Sequence, residues 1–403
     1  MTDLTMLSAT DAFIEREAEW GADNYRPLDL VIAEARGAWV TDVEGRRYLD
    51  CLSAYSAVNQ GHCHPRLLAT FIEQAQRVTL TSRAFRNEQL GAFCEELATV
   101  CGMEMVLPMN TGAEAVETAI KAARRWGYTR KQIPDGQARI IAFENNFHGR
   151  TTTIVGFSSE PAYREHFGPF APGFTLVPFG DIEAVRDAMT DETCAVLFEP
   201  IQCEAGVLMP PAGFLRELAD LCAERNVLLV ADEIQTGLGR TGRMFACDHD
   251  DVTPDMYILG KALSGGFYPV SAVVSRRDVL DVFGPGSHGS TFGGNPLGCA
   301  VAREALRVIE DEHLVERSAE LGAWMLEQVR TIRDDRIVAV RGRGLMIAIE
   351  LREPARPYCE ALKQRGMLCK ETHDVVIRLS PPLVVSKPDL SWAVEQLRAV
   401  FAA

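Results

Sequence analysis

The chain has 403 residues, of which 47% are hydrophobic and 24% are charged. This composition is that of a globular protein rather than a disordered one. A chain of this length is too long for one small core, so it predicts two domains, one of them large. The formal net charge of −15 argues against nucleic acid or an anionic membrane as a partner, because both bind basic surfaces.

The N-terminal residues and the cysteines point to a cytoplasmic protein. Residues 1–20 are acidic and resemble neither a secretory signal nor an organelle transit peptide. No apolar run has the length that a membrane span requires. The eleven cysteines are therefore expected to be reduced thiols, mostly buried. The cluster His62-Cys63-His64 lacks a second ligand group at zinc spacing, so we expect no metal.

The first predicted element is a β-hairpin. Residues 39–42 and 47–50 have strand character and flank a turn at Glu44-Gly45. We expect the N-terminal segment, residues 1–51, to pack with the C-terminal part of the chain.

The middle of the chain, residues 52–296, alternates short apolar runs with helical patterns. The runs are continuous, which is typical of strands covered on both faces. Helical patterns cover residues 113–126 and 212–225. We therefore predict an α/β fold, in which a mostly parallel sheet carries helices on both faces. The six predicted strands are residues 105–109, 138–143, 195–198, 227–231, 256–259 and 270–274.

The pattern changes after Pro296. Two long helices are predicted over residues 297–312 and 314–332, followed by strands at 345–351 and 375–379. A last helix is predicted near residues 388–401. Residues 297–403 are therefore expected to form a smaller α+β domain.

Two charged residues stand at the ends of predicted strands. Asp232 follows the strand at 227–231, and Lys261 follows the strand at 256–259 in a glycine-bracketed turn. Ligands of an open α/β sheet bind at the carboxyl ends of its strands, so both side chains are expected at one site. A lysine that forms a Schiff base and a carboxylate against a ring nitrogen are what pyridoxal phosphate (PLP) requires.

Each of the two residues has a chemical task in such a site. A carboxylate about 4 Å from the ring nitrogen, at an effective dielectric constant of about 20, favours the protonated ring by about 4 kcal/mol. The protonated ring accepts the electrons released when the substrate carbon loses its proton. Lys261, displaced by the incoming amine, is placed to move that proton. We therefore predict Lys261 and Asp232 as the catalytic residues.

A phosphate site is indicated at Thr111-Gly112-Ala113-Glu114, which follows a strand and opens a helix. Backbone N–H groups and the helix dipole attract an anion there. The dipole contributes only about 0.3–1 kcal/mol when exposed, so further donors are needed. Thr111 as a plain helix N-cap explains the same pattern, and the residues alone leave both interpretations open.

One motif favours a different cofactor, a dinucleotide. Gly237-Leu-Gly239-Arg-Thr-Gly242 matches the dinucleotide fingerprint G-x-G-x-x-G. The residues after it do not form a helical pattern, and no acidic residue ends a second strand at the required distance. We therefore interpret it as a glycine-rich loop.

Several longer motifs carry a resemblance to a known family. The chain resembles the class III (subgroup II) PLP-dependent aminotransferases of fold type I, and within them the ornithine δ-aminotransferase branch. The resemblance extends from Asn24-Tyr25-Arg26-Pro27 to Arg378-Leu-Ser-Pro-Pro-Leu. Its other motifs are Tyr55-Ser-Ala-Val-Asn-Gln-Gly-His-Cys-His-Pro, Asn110-Thr-Gly-Ala-Glu-Ala, Phe147-His-Gly-Arg150, Glu199-Pro-Ile-Gln, Asp232-Glu-Ile-Gln235-Thr-Gly and Gly289-Ser-Thr-Phe-Gly-Gly-Asn-Pro.

The resemblance implies a set of cofactor contacts. Phe147 would stack on the PLP ring, and Gln235 would hydrogen-bond its phenolic oxygen. Thr111, Gly112 and Ala113 would bind the phosphate, the last two through backbone N–H groups. Thr291 would reach the phosphate from a neighbouring subunit, which implies a homodimer or a dimer of dimers with shared active sites.

The resemblance also implies a substrate pocket for two kinds of ligand. Tyr25 and Arg150 would hold the distant α-carboxylate of a diamino acid, and Tyr55 favours ornithine over 4-aminobutyrate.

Arg378 would bind the α-carboxylate of glutamate or 2-oxoglutarate as a bidentate fork. Glu204 would neutralise Arg378 while ornithine reacts. Glu199 belongs to the same implied set of substrate residues. Cys203 stands where the family usually has glycine, next to Glu204.

These observations predict that the δ-amino group of L-ornithine is transferred to 2-oxoglutarate, giving glutamate 5-semialdehyde and glutamate. The amino donors acetylornithine, lysine and 4-aminobutyrate remain alternatives. An aminomutase or racemase on the same scaffold is also open, and it would need no keto-acid acceptor. A binding protein without catalysis is disfavoured because Lys261 and Asp232 are both present.

Overall fold

The structure, a computed structural model, describes residues 8–402. The chain begins with one helix and a small antiparallel sheet. These elements are α1 (Ala9–Trp20), β1 (Ile32–Arg36), β2 (Trp39–Asp42) and β3 (Arg47–Asp50). Strands β2 and β3 pair antiparallel around the Glu44-Gly45 turn, which confirms the predicted hairpin.

The central part of the chain alternates strands and helices. Its first half contains α2 (Ser53–Ser56), α3 (Pro65–Arg77), α4 (Glu88–Cys101), β4 (Met105–Met109), α5 (Gly112–Thr129), β5 (Arg139–Phe143), α6 (Thr152–Val155), α7 (Pro161–Arg164) and β6 (Phe174–Val177). Its second half contains α8 (Ile182–Ala188), β7 (Thr193–Phe198), α9 (Phe214–Glu224), β8 (Leu228–Asp232), β9 (Met256–Leu259), β10 (Ser271–Ser275) and α10 (Arg277–Leu280).

Seven of these strands form one sheet in the order β4-β10-β9-β8-β7-β5-β6. Five neighbouring strands, from β9 to β6, are parallel, and β10 is antiparallel to both of its neighbours. Strands β7 to β10 are buried along their whole length, because helices cover both faces. The mostly parallel sheet predicted from the continuous apolar runs is therefore confirmed.

All six predicted strands are present with their ends shifted by at most two residues. Strand β6 was missed. It lies at the edge of the sheet and is only partly buried over three of its four residues. It therefore lacks the continuous apolar run of the central strands.

The C-terminal part packs helices on a second antiparallel sheet. Its elements are α11 (Pro296–Asp311), α12 (Leu314–Arg330), β11 (Ile337–Arg343), β12 (Met346–Leu351), α13 (Arg356–Gln364), β13 (Met367–Leu368), β14 (Lys370–Thr372), β15 (Val376–Leu379) and α14 (Lys387–Phe401). Strands β11, β12, β15 and β14 form the sheet in that order.

The two ends of the chain meet in the small N-terminal sheet. Strand β13 pairs parallel with β3, with Met367 opposite Leu49. The rings of Trp39 and Trp392 also lie 5.6 Å apart between centroids. The N-terminal hairpin therefore packs on the C-terminal part of the chain.

The glycine-rich loop 237–242 packs tightly between the central and C-terminal parts. The guanidinium of Arg240 is fully buried and donates hydrogen bonds to the carbonyl oxygens of Leu345 (2.9 Å) and Pro381 (2.6 Å). Gly242 has φ +85°, and a Cβ there would lie 2.8 Å from the Cα of Ala319. The residues that follow form only a short 3₁₀ turn, Ala246–Asp250. The prediction of a loop without a nucleotide-binding helix is confirmed.

Among residues 8–402, no helix combines the length and the apolar character needed to cross a membrane.

Candidate active site

Strands β8 and β9 bring Asp232 and Lys261 to one cavity. The strands are parallel neighbours, so the residues at their carboxyl ends share one edge of the sheet. The cavity has a volume of about 150 Å³. Its walls are formed by Gly112, Ala113, Phe147, His148, Gly149, Glu199, Ile201, Asp232, Ile234, Gln235, Thr236 and Lys261.

Asp232 is buried and held by two hydrogen bonds. One oxygen lies 2.6 Å from Nδ1 of His148, and the other accepts the backbone N–H of Ile234 at 3.1 Å. His148 was missed in the sequence, although it lies inside the motif Phe147-His-Gly-Arg150. Its ring is also buried, with its second nitrogen unpartnered within residues 8–402. The pair keeps the Asp232 carboxylate oriented at the base of the cavity.

Lys261 reaches into the cavity from a strained backbone. Its φ is +43°, in the left-handed region that non-glycine residues seldom adopt. Burial lowers the pKa of its amine below the usual value, although the charge of Glu204 acts in the opposite direction. A lowered pKa favours the neutral amine, which is the form that attacks a carbonyl carbon.

The start of α5 combines a cap with free backbone donors. Thr111 and Glu114 form a capping box, in which each side chain accepts the other residue's backbone N–H. The N–H groups of Gly112 and Ala113 line the cavity and have no acceptor within residues 8–402. The N-cap and the anion site are therefore compatible interpretations, because they use different N–H groups.

These groups fit PLP. An amine of lowered pKa, a buried carboxylate and a pair of free N–H groups at a helix N-terminus face one cavity with an aromatic ring in its wall. The amine matches the aldehyde of the cofactor, and the carboxylate matches its ring nitrogen. The N–H groups match its phosphate, and the aromatic side chain matches the face of its ring.

A second charged pair lies beside this cavity. Arg378 is 1% exposed, and its Nη1 lies 2.8 Å from Oε1 of Glu204. Burial raises the pKa of Glu204, but the charges of Arg378, Lys261 and Arg150 together with the hydrogen bond from Arg378 bring it below its usual value. Gln235 bridges the pair, donating to Glu204 at 3.2 Å and accepting from Arg378 at 3.4 Å. The two charges therefore neutralise each other.

Tyr55 stacks on this pair from an unusual turn. The guanidinium carbon of Arg378 lies 4.9 Å from the centroid of its ring. Tyr55 belongs to α2, in which all four residues have positive φ values between 47° and 70°. A left-handed turn of non-glycine residues is strained, and such strain concentrates at functional sites.

Glu199 is the second carboxyl of the cavity wall and differs from Glu204. It is buried and accepts the backbone N–H of Phe147 at 2.9 Å. Burial, helped by the charge of Asp232, raises its pKa well above the usual value. The two carboxyls therefore differ: burial favours the protonated form of Glu199, whereas the neighbouring positive charges favour the charged form of Glu204.

Arg150, Tyr25 and Thr291 lie outside the cavity wall. Arg150 is exposed, with its guanidinium carbon 3.8 Å from the ring centroid of Tyr163. Tyr25 is 70% exposed. Thr291 is exposed in the loop before α11, where the neighbouring Ser290 accepts a hydrogen bond from Asn110 at 2.9 Å. None of the three contributes to the cavity wall of its own chain.

Cys203 does not enter the cavity. Its side chain is fully buried in an apolar cluster, with Sγ 3.3 Å from the sulfur of Met346. The residue at this position therefore packs against β12 and leaves Glu204 free to meet Arg378.

A family model for class-III aminotransferases matches residues 20–401. The chain belongs to this family. An ornithine aminotransferase of Bacillus subtilis is 59% identical over 398 residues, which cover 99% of each chain. The crystal structure of the ornithine aminotransferase from Toxoplasma gondii has a TM-score of 0.97 at 44% identity, covering 98% of this chain and 96% of that chain. An acetylornithine aminotransferase from Elizabethkingia anophelis has a TM-score of 0.90 at 45% identity, covering 98% and 100%.

Family membership confirms three predictions made from the residues. The fold is that of the fold type I enzymes, the cofactor is PLP, and the chain is a PLP-dependent aminotransferase. Class III members transfer an amino group between a small-molecule donor and a keto acid.

Proposed function

We propose that this enzyme transfers the δ-amino group of L-ornithine to 2-oxoglutarate, giving glutamate 5-semialdehyde and glutamate. The observation that carries the proposal is the buried Arg378–Glu204 pair beside the cavity. The identity of 59% with the ornithine aminotransferase of Bacillus subtilis supports it.

Lys261 and Asp232 have different roles in the proposed reaction. PLP, when bound, supplies the carbonyl that takes up the amino group and the ring that stabilises negative charge. Lys261 would hold the cofactor covalently and, as a free amine, would move the proton at the reacting carbon. Asp232, oriented by His148, would pair with the ring nitrogen and favour its protonated form.

Four further residues would hold the cofactor. Gly112 and Ala113 would bind the phosphate through their free N–H groups, next to the Thr111 cap. Phe147 lines the cavity where it can pack on the ring face, and Gln235 lies in the same wall.

The Arg378–Glu204 pair explains why ornithine reacts at its δ-amine. An unpaired arginine beside the reacting carbon would draw the α-carboxylate there and present the α-amine instead. With Glu204 in place, the charge is neutralised, and the carboxylate binds farther out at Arg150 and Tyr25.

The amino acceptor, 2-oxoglutarate, would bind directly to Arg378. 2-Oxoglutarate carries a carboxylate next to its reacting carbon, and this group replaces Glu204 as the partner of Arg378. One carboxylate is exchanged for another, so the buried arginine is never left without a counter-charge.

We propose the following organisation around this site. Residues 1–51 form a segment that packs with a small domain of residues 297–403, and residues 52–296 form the PLP-binding domain. The functional unit is a homodimer or a dimer of dimers, in which Thr291 completes the partner's phosphate site. All eleven cysteines are free, which suits the reducing cytoplasm.

A second candidate donor is N-acetylornithine, and the similarity to the Elizabethkingia anophelis acetylornithine aminotransferase favours it. Lysine and 4-aminobutyrate are tested in the same assay. An aminomutase or racemase is distinguished by turnover that does not depend on added 2-oxoglutarate.

The test is an assay of the purified holoenzyme with a panel of amines and keto acids. We expect the highest kcat/KM for ornithine with 2-oxoglutarate, and no turnover without the keto acid. Lys261→Ala should abolish both turnover and the absorbance of the covalently bound cofactor, whereas the surface control Lys387→Ala should retain both. Faster turnover of N-acetylornithine would overturn the assignment of the donor.

A further inference from the structure

Arg150 lies beside Phe147, a residue of the cavity wall, and has no carboxylate partner within residues 8–402. Within residues 8–402 it forms no ion pair, and its guanidinium carbon lies 3.8 Å from the ring centroid of Tyr163 and 5.5 Å from that of Phe147. Its charged group therefore stacks on two aromatic rings, and it acts on Glu204 only through charge, without a direct ion pair. A stacked guanidinium keeps its N–H edge free for a planar anion.

Tyr163 is held in place by its own short segment. It lies in α7, where the side chain of Glu160 caps the first turn at Ala162 and Arg164 donates to the carbonyl oxygen of Ser158 at 3.0 Å. The Tyr163 ring meets the Phe147 ring edge-on, with 6.0 Å between centroids. Its position is therefore fixed relative to the cavity wall.

Tyr163 also borders a side pocket that opens next to the active-site cavity. Phe147 belongs to the walls of both spaces, and Glu204 and His373 line the side pocket with Tyr163. Burial raises the pKa of the Tyr163 phenol, and the Arg150 charge lowers it in part. The ring therefore faces Arg150 as a neutral aromatic surface.

We propose that Tyr163 is a positioning residue for the amino donor. Its ring orients the guanidinium of Arg150 so that the N–H edge meets the distal carboxylate of ornithine. This inference rests on the proposed function, because it assigns the donor carboxylate to Arg150. It adds to that function a residue that sets the affinity for donors carrying a distal carboxylate.

A neighbouring stack in the same segment provides a matched control. The guanidinium carbon of Arg164 lies 5.3 Å from the ring centroid of Phe170. Neither residue lines the active-site cavity. Phe170→Leu therefore removes an arginine–aromatic contact from the same segment without touching Arg150.

The experiment compares Tyr163→Leu, Tyr163→Phe and Phe170→Leu with the wild-type holoenzyme. The KM for ornithine is measured with the inhibition constants of 5-aminopentanoate and 1,4-diaminobutane. The first inhibitor is ornithine without the α-amino group, and the second is ornithine without the carboxylate.

In Tyr163→Leu we expect the KM for ornithine and the inhibition constant of 5-aminopentanoate to rise together by about three- to thirtyfold, the range of a cation–π contact. The inhibition constant of 1,4-diaminobutane should stay within about twofold, because it has no carboxylate for Arg150. Tyr163→Phe keeps the ring and should stay within about threefold for all three compounds. Phe170→Leu should change none of them.

If the inhibition constant of 1,4-diaminobutane rises equally in Tyr163→Leu, Tyr163 has a general structural role and the proposal is overturned. The proposal is also overturned if none of the three constants changes in this variant. The wild-type assay separates this failure from that of the proposed function. If the wild type does not use ornithine, both inferences fall. If it does, unchanged constants in Tyr163→Leu refute only the role of Tyr163.

Discussion

Two arginine–tyrosine pairs belong to the proposed substrate site. Arg378 stacks on Tyr55 with 4.9 Å between guanidinium carbon and ring centroid, and Arg150 stacks on Tyr163 with 3.8 Å. The two pairs share their side-chain types but differ in surroundings. Arg378 is buried and paired with Glu204, whereas Arg150 is exposed and has no carboxylate partner within residues 8–402.

The difference follows from solvation. A buried arginine without a counter-charge is strongly destabilising, so Arg378 requires a partner at every stage of the reaction. An exposed arginine is solvated by water, so its charge needs no carboxylate partner before the ligand binds. A buried arginine can therefore bind a substrate carboxylate only by exchanging it for its own carboxylate partner. An exposed arginine can bind a substrate carboxylate directly.

The largest effect should come from breaking the buried pair. Glu204→Gln leaves Arg378 without its negative partner, and ornithine should then bind with its α-carboxylate near the reacting carbon. We expect the ratio of δ- to α-amine transfer to fall by about 10- to 100-fold, which corresponds to about 1.4–2.7 kcal/mol. The measurement is the ratio of glutamate 5-semialdehyde to the 2-oxo acid formed from the α-amine. Glu327→Gln, exposed on α12 and away from the cavity, is the control.

The same ratio has a predicted pH dependence in the wild type. Burial raises the pKa of Glu204, but Arg378, with the charges of Lys261 and Arg150, brings it below its usual value, so Glu204 stays charged above that value. The ratio should therefore be constant from pH 8 down to pH 5 and fall only at lower pH. A decline between pH 8 and pH 6 would contradict the assignment.

A smaller effect is expected from the tyrosine of the buried pair. Tyr55→Ile removes the ring on which Arg378 stacks and should shift preference toward 4-aminobutyrate by about tenfold, because part of the ornithine selectivity resides there. The ratio of kcat/KM for the two amines is the measurement. An unchanged ratio would refute the role of Tyr55 in selectivity.

The smallest effect should come from the other carboxyl of the cavity. Burial raises the pKa of Glu199 and favours its protonated form, and Glu199→Gln replaces that neutral form by a group of the same shape. The amide oxygen can still accept the N–H of Phe147. We expect kcat/KM for ornithine to fall by less than about threefold. A loss of 100-fold or more would mean that Glu199 acts as a charged group.

The sheet and the cofactor-facing residues were predictable because their signals are local. A buried parallel strand is a continuous apolar run, and the residue after it lies at the ligand-binding edge. Asp232 and Lys261 could therefore be placed at one site before the strand order was known. The edge strand β6 was not predicted, because a partly buried strand lacks the continuous apolar run.

The contacts between distant side chains were not predictable in the same way. His148 meets Asp232 across 84 positions of the chain, and Arg378 meets Glu204 across 174. The resemblance to a family suggested the second pair, but no local pattern suggests the first. Tyr163 lies in a short polar helix whose sequence gives no reason to expect Arg150 above its ring.

The amino-acid sequence by itself determined the alternation of buried strands and helices in the central part and the residues at the strand ends, because each depends on neighbours within a few positions. Only the tertiary structure decided which arginine is buried, which carboxyl has its pKa raised and which ring lies under Arg150. Burial and charge pairing arise from packing between distant segments, and they set the pKa values and orientations on which the proposed selectivity depends.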